Sequence, residues 1–334
     1  MLNKSFARKI NFITIIAVYF LILVGGIVRN MESGMGCPDW PKCFGAYIPP
    51  TSDINLPDGY QELYLEKRIK KNERLSGLLS SLGLNKLSEK VIEEKQILST
   101  DAFSVKTAWV EYINRLIGVV IGLLIVLNLV FAVRINGIGV KILALSSFIL
   151  VLFQGWIGSL VVSTNLLPGF ISFHMAVALL LLSLLIIQWA KTGQEQSDGL
   201  LGSWVLISLL GLFIIQLFLG INVREQIDVL KSFEISKMRW IEELDIVFYI
   251  HRSFSLIIVG LLGFIYYKTN FNGNKNIKVL LLVILVLIEV VIGAIMAYFQ
   301  LPFLTQPFHL LFGSLAFGVI VYLQALKFLK RNTY

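Results

Sequence analysis

The sequence predicts an all-α membrane protein with eight transmembrane helices in two pseudo-symmetric, parallel four-helix-bundle halves. Three observations predict it. The chain carries eight long apolar blocks, polar residues recur in register between its two halves, and its basic residues gather on one side of the blocks.

Of 334 residues, 56% are hydrophobic, and the mean hydropathy is +0.78; a soluble domain is about 45–50% apolar. The excess lies in blocks at roughly 10–28, 107–133, 140–162, 167–190, 200–223, 246–267, 277–299 and 303–326. Each holds about 19–27 residues, enough at ~1.5 Å per residue to cross a ~30 Å hydrocarbon core. Irregular backbone cannot face lipid, so the blocks are expected to be helices. The first is too long for a cleavable signal peptide, and no small-residue cleavage site follows it.

The net charge of +8 has a topological use and does not argue for nucleic acid. With a cytoplasmic N-terminus, the inner segments carry Lys4, Arg8, Lys9, Arg134, Lys141, Lys191, Lys268, Lys275, Lys278, Lys327, Lys330 and Arg331. Only Glu195 and Asp198 oppose them, and the short outer turns at 163–166 and 300–302 carry no charge. This satisfies the positive-inside rule, from which the long, basic first outer loop at 30–106 is exempt. The expected location is the inner cell membrane, with both termini cytoplasmic and the long loop outside.

The repeat defines the halves. Tyr112-Ile113-Asn114-Arg115 answers Tyr249-Ile250-His251-Arg252, and Phe173-His174 answers Phe308-His309. Ile157-Gly158 and Ile292-Gly293 each place glycine sixteen residues before the following histidine, and Gly26-Ile27-Val28-Arg29 resembles Gly220-Ile221-Asn222-Val223-Arg224. Residues 1–195 and 196–334 therefore read as two four-helix halves. Four is even, so both insert in the same direction, unlike the inverted repeats of many transporters. In the loop, 31–51 is rich in Gly, Pro and aromatics. The segment at 61–96 is either amphipathic helices at the membrane surface or on the bundle, or a solvated spacer.

All three histidines lie inside predicted membrane helices. Asn114, His174, His251 and His309 sit about six to eight residues past the outer ends of their helices, ~9–12 Å in at ~1.5 Å per residue. Polar groups at such depth are costly and usually functional; interhelical hydrogen bonding is the plainer alternative. Imidazoles from different helices in an apolar site suit haem iron. His251 and His309 form a complete bis-histidine pair, whereas the equivalent first-half pair is Asn114 and His174. Zinc is disfavoured because no third and fourth ligand accompanies the histidines. Glu111, one turn before Asn114, either points at the first-half site or pairs with Arg115 at i+4. Arg29, Arg115, Arg224 and Arg252 either bind haem propionates or snorkel at the interface. Cys37 and Cys43, facing an oxidising compartment, are expected to be bonded; whether such a bridge is structural or redox-active stays open.

The segment Gly25-Gly26-Ile27-Val28-Arg29, followed by Glu32-Ser33-Gly34-Met35-Gly36-Cys37-Pro38-Asp39-Trp40-Pro41-Lys42-Cys43, resembles the signature of the haem A synthase family. So do Glu111-Tyr112-Ile113-Asn114-Arg115, Phe173-His174-Met175, His251-Arg252 and His309-Leu310-Leu311. The resemblance covers nearly the whole chain, and the cysteine-bearing segment is its most specific part. It implies oxidation of the C8 methyl of haem O to a formyl group by successive hydroxylations. By that resemblance His251 and His309 ligate a haem b in the C-terminal half. His174, Glu111 and Asn114 then line the first-half site for substrate haem O. Asn114 departs from the pattern, because histidine is common there in the family. Haem O synthase, cytochrome oxidase assembly factors, an external electron donor and the lipid bilayer are the implied partners. Two other readings remain: a di-haem electron-transfer protein exchanging electrons with quinone, and a non-catalytic haem-binding assembly factor.

Overall fold

A computed structural model describes residues 4–93, 102–135, 137–193, 201–271 and 276–331. The boundary expected at 195/196, the acids Glu195 and Asp198, and Lys275 lie outside these residues. Ten α-helices are described. They are α1 (Lys4–Asn30), α2 (Tyr60–Ser81), α3 (Asn85–Glu93), α4 (Val105–Ala132), α5 (Ile138–Ser163), α6 (Pro168–Thr192), α7 (Ser203–Ser232), α8 (Ile246–Phe271), α9 (Ile277–Tyr298) and α10 (Thr305–Arg331). Among the described residues there is no strand beyond an isolated bridge between Cys43 and Ala46.

Eight of the helices, all but α2 and α3, are long and apolar enough to cross a membrane. They coincide with the eight blocks. The largest difference is in α7, which runs on to Ser232, nine residues past the apolar block. The extension is polar, and an Arg224–Asp228 ion pair at 2.8 Å supports it at i,i+4 spacing.

Four helices, α1, α5, α7 and α9, stop in one way. Glu32, Asn165, Glu234 and Gln300 take left-handed backbone, with φ of 57°, 49°, 56° and 56°. The following residue then bonds back across the last turn: Ser33 N to Val28 O (3.0 Å), Leu166 N to Val161 O (2.9 Å), Ile235 N to Leu230 O (3.1 Å) and Leu301 N to Met296 O (2.9 Å). These are Schellman-type stops, which satisfy carbonyls orphaned at a helix end. Glycine usually occupies the left-handed position; here none of the four is glycine.

The chain groups into two compact units that cut across the sequence halves. One comprises 1–26, 121–149 and 179–334; the other comprises 27–120 and 150–178. In the first unit α7 packs on α8, α8 on α9, α9 on α10, and α10 back on α7, so the second half closes into a four-helix ring. Its core joins Leu209 and Phe213 of α7, Ile258, Leu262 and Ile265 of α8, Val279, Leu282, Leu285 and Val286 of α9, and Ala316 and Ile320 of α10. The same unit includes parts of α1, α4, α5 and α6. Phe6 meets Phe131 edge-on at 5.0 Å and Phe12 stacks on Trp189 at 5.5 Å. Asn128 and Gln188 exchange two amide hydrogen bonds of 3.0 Å between α4 and α6. This reciprocal pairing satisfies polar groups that would otherwise be unpaired in an apolar medium.

In the second unit the loop helices pack on the bundle. Leu75 and Leu79 of α2 and Val91 of α3 form a core with Leu160, Leu167 and Phe170. Lys71 Nζ donates to Ser159 O at 2.9 Å and Asn72 Nδ2 to Ser163 O at 2.9 Å. Of the two possibilities for the segment at 61–96, its described part forms amphipathic helices packed on the bundle. Residues 94–96 lie outside the described set.

Leu262, only 1% exposed, tests the ring core. Leu262→Ala should lower stability by about 2–5 kcal/mol, seen as a lower thermal midpoint in detergent. Leu256→Ala, at a 62% exposed position on the same helix, should leave the midpoint nearly unchanged.

Candidate functional site

The second-half histidines face each other. His251 stands in the second turn of α8 and His309 in the second turn of α10. Their ring centroids are 6.5 Å apart, with the planes at 75°. Two metal–imidazole bonds of roughly 2.0 Å each, plus about 1.1 Å from each nitrogen to its ring centre, would put the ring centres of two imidazoles sharing one ion about 6.2 Å apart. The observed spacing fits that arrangement.

Each ring lies against a glycine on a neighbouring helix, tightly at Gly220 and in ordinary contact at Gly293. A Cβ on Gly220 of α7 would sit 3.1 Å from His251 Cε1, and one on Gly293 of α9 would sit 3.5 Å from His309 Cε1. Along α7, α8 and α9 the histidine layer falls between two apolar clusters. On one side lies the ring core. On the other, Ile227, Leu244 and Leu301 pack with Val223, Trp240, Phe248 and Met296. Gln216 Nε2 donates to His251 O at 3.1 Å, and the buried Nδ1 of His251 has no hydrogen-bond partner. Glu289 Oε2 lies 3.0 Å from His309 Nδ1.

The first-half groups lie in the other unit. His174, early in α6, faces α5: a Cβ on Gly158 would sit 3.8 Å from its Cε1. Gln154 Nε2 donates to His174 O at 3.1 Å. His174 Nδ1 and Asn114 Oδ1 are buried without hydrogen-bond partners. An orphaned buried polar atom is expensive, and four of them among these positions (with Nδ1 of His251 and of His309) suit sites that a bound group completes.

Glu111 is only 4% exposed, and both its oxygens are held. Oε1 pairs with Arg115, and Oε2 accepts from Cys37 N at 2.8 Å. Of its two expected roles, the pairing with Arg115 is therefore present. Arg115 also donates to Asp39 O (2.8 Å), Lys42 O (2.9 Å) and Cys37 O (3.2 Å). One guanidinium thus ties the loop to α4. Cys37 and Cys43 are bonded, with Sγ–Sγ 2.04 Å, and are almost fully buried against Phe44, Tyr64 and Ala108. Gly36 allows this seating, since a Cβ there would overlap the backbone at Thr107. The Asp39 carboxylate accepts from Phe44 N (2.7 Å) and Gly45 N (2.9 Å) and closes the loop. Burial, and then the Asp39 charge, push the Tyr64 phenol up to about 12. Burial, and then Arg115, hold the Lys71 ammonium below its usual value.

The other expected arginines have protein partners too. Arg224 pairs with Asp228 at 2.8 Å and bonds Gln306, while the Arg252 guanidinium stands 6.0 Å from the Tyr249 ring centre. At Arg29 the carbonyl accepts from Glu32 N at 3.2 Å. Glu289, Gln154 and Gln216 were not anticipated. A signal for them exists: each lies four residues before the glycine that admits a histidine, as Gln154/Gly158, Gln216/Gly220 and Glu289/Gly293.

Compared with known proteins, the sequence matches the COX15-CtaA family, described as cytochrome oxidase assembly protein, over residues 8–64 and 85–321. The chain belongs to this family. Both histidine-bearing regions and the disulfide loop fall inside the match. A curated relative, the "Heme A synthase" of Shewanella oneidensis, is 28% identical over 213 residues, covering 62% of this chain and 54% of the relative. The chain thus spans about half the length of that relative.

Arg115 anchors the loop through several bonds, so Arg115→Gln should free it. Trypsin cleavage after Lys42 in the folded protein should rise several-fold, and a rate equal to the parent's would refute the anchor. Peptide mapping without reductant should recover Cys37 and Cys43 linked.

Proposed function

We propose that this chain is a haem A synthase, a membrane oxidoreductase that converts the C8 methyl of haem O to a formyl group. The observation that carries the reading is the His251–His309 pair, spaced for one iron, in a member of this family. Its repeat partner, His174 with Asn114, offers one imidazole instead of two.

The second-half residues fit a b-type haem. His251 and His309 would hold its iron, Gly220 gives the His251 ring room, and the flanking apolar clusters exclude water. Bound there, the haem supplies reversible one-electron chemistry. In the first half His174 would face the iron of substrate haem O. Asn114 supplies at best a weak ligand, which suits a substrate that must enter and leave. Glu111 accepts from Cys37 N–H and pairs with Arg115, so a proton arriving at this carboxylate would weaken the contacts that seat the disulfide loop. Arg29, Arg224 and Arg252 are the proposed partners for propionates through charge-assisted bonds; Arg115 is committed to the loop.

We place the sites and the long loop on the outer side of the inner cell membrane, with both termini cytoplasmic. A haem O synthase, oxidase assembly factors and an external electron donor are the proposed partners.

Cells making this protein together with a haem O synthase should accumulate haem A. Haem O without haem A, in cells where the protein is folded in the membrane, would refute the activity. Glu111→Gln and His174→Ala should each abolish formyl production while the second-half haem stays bound; native rates in both would displace the catalytic site.

His251→Ala and His309→Ala should each remove the low-spin haem signal from optical and EPR spectra. Gly220→Ala presses on the His251 ring and should lower haem occupancy. Gly211→Ala on the same helix, where a Cβ meets nothing within 4 Å, should not. Equal occupancy in the two glycine variants would remove the cradle role.

A further inference from the structure

The three histidines have unequal surroundings. Three helices place a polar residue four positions before the glycine that admits a histidine. In two of them it is glutamine, and the amide reaches the histidine's backbone: Gln154 to His174 O and Gln216 to His251 O, each at 3.1 Å. In the third it is glutamate, and it reaches the ring. Glu289 Oε2 is 3.0 Å from His309 Nδ1.

The neighbouring helix is shaped for this carboxylate. Gly313 lies one turn beyond His309 on α10, and a Cβ there would stand 3.3 Å from Glu289 Oε2 and 3.6 Å from its Cδ. The bare backbone at Gly313 therefore leaves the notch in which the carboxylate lies. The Glu289 side chain is 17% exposed and the His309 side chain 27%, so water screens their contact little.

We infer that Glu289 is a positioning residue for the second-half haem: it holds His309 with the proton on Nδ1, turns Nε2 toward the iron, and lowers the reduction potential of that haem. The inference rests on the haem reading above. A carboxylate on the distal ring nitrogen fixes the tautomer and makes the ligating nitrogen more basic. A more electron-rich ligand stabilises the ferric state over the ferrous state. No acid among the described residues acts on His251, so it lacks this polarisation. The two imidazoles that would hold one iron would thus be chemically distinct, with the stronger donor on α10. In the first half, the glutamine at the matching position leaves His174 unpolarised as well, so a permanent haem and a substrate haem would be held by different kinds of imidazole.

The test uses the full-length protein purified in detergent, with redox titration followed optically and EPR of the oxidised form. A low-spin haem in the parent that His309→Ala abolishes establishes the haem reading by itself; its absence from the folded parent would defeat that reading, whatever Glu289 does. Glu289→Gln keeps the size and an acceptor for Nδ1–H but removes the charge. It should retain the low-spin haem, shift the midpoint potential positive and alter the EPR g values. Glu289→Ala should weaken haem retention about 10- to 100-fold. Gly313→Ala crowds the carboxylate without changing its charge and should also move the potential positive; it decides the matter if the Glu289 variants do not fold. A purely structural Glu289 would lower stability and leave the potential of the bound haem where it was. An unchanged potential with unchanged g values in Glu289→Gln, or in Gly313→Ala should it stand alone, overturns the inference.

Discussion

The close approach of the His251 ring to the bare backbone of Gly220 is the contact on which the second-half site depends. An added Cβ on Gly220 would stand 3.1 Å from His251 Cε1 and crowd it, whereas one on Gly293 would stand 3.5 Å from His309 Cε1, at ordinary contact. Small residues allow close helix approach in lipid, where packing rather than water exclusion drives association. Here the gap at Gly220 also fixes where the His251 ring lies in an apolar bundle.

The first-half groups are ordered by charge. Glu111 and Arg115 form an i,i+4 pair buried beneath a disulfide-closed loop, and the guanidinium bonds loop carbonyls that would otherwise be unpaired. A buried pair contributes to stability only when its remaining donors and acceptors are also satisfied. Cys37 N and the three loop carbonyls meet that condition. The loop is thereby part of the surroundings of Glu111.

The helices were legible because lipid permits few alternatives and length alone identifies a span. The histidines were legible because three of them recur in otherwise apolar segments. The polar extension of α7 was not, since hydropathy ends at the lipid boundary while backbone hydrogen bonding continues. Glu289 was missed for a related reason. A single carboxylate among Leu, Val and Ile carries no periodic signal, and its meaning depends on the ring it meets on another helix. The four non-glycine left-handed stops were also invisible, because Glu, Asn, Glu and Gln carry no such preference in common. The bonding of Cys37 to Cys43 was expected from compartment and proximity, whereas the guanidinium clamp over it joins residues more than seventy positions apart.

Those stops have a consequence for helix phase. Between α5 and α6 the chain reverses within a few residues, closed by the Leu166-to-Val161 bond; between α9 and α10 the Leu301-to-Met296 bond does the same. Neither turn has slack, so the rotation of the returning helix is set by residue count. That is why sixteen residues separate Gly158 from His174 and Gly293 from His309. One residue added to either turn would rotate the helix after it by about 100° and carry the imidazole off its glycine, with every helix intact and every side chain unaltered. In each hairpin the short turn works as an angular stop.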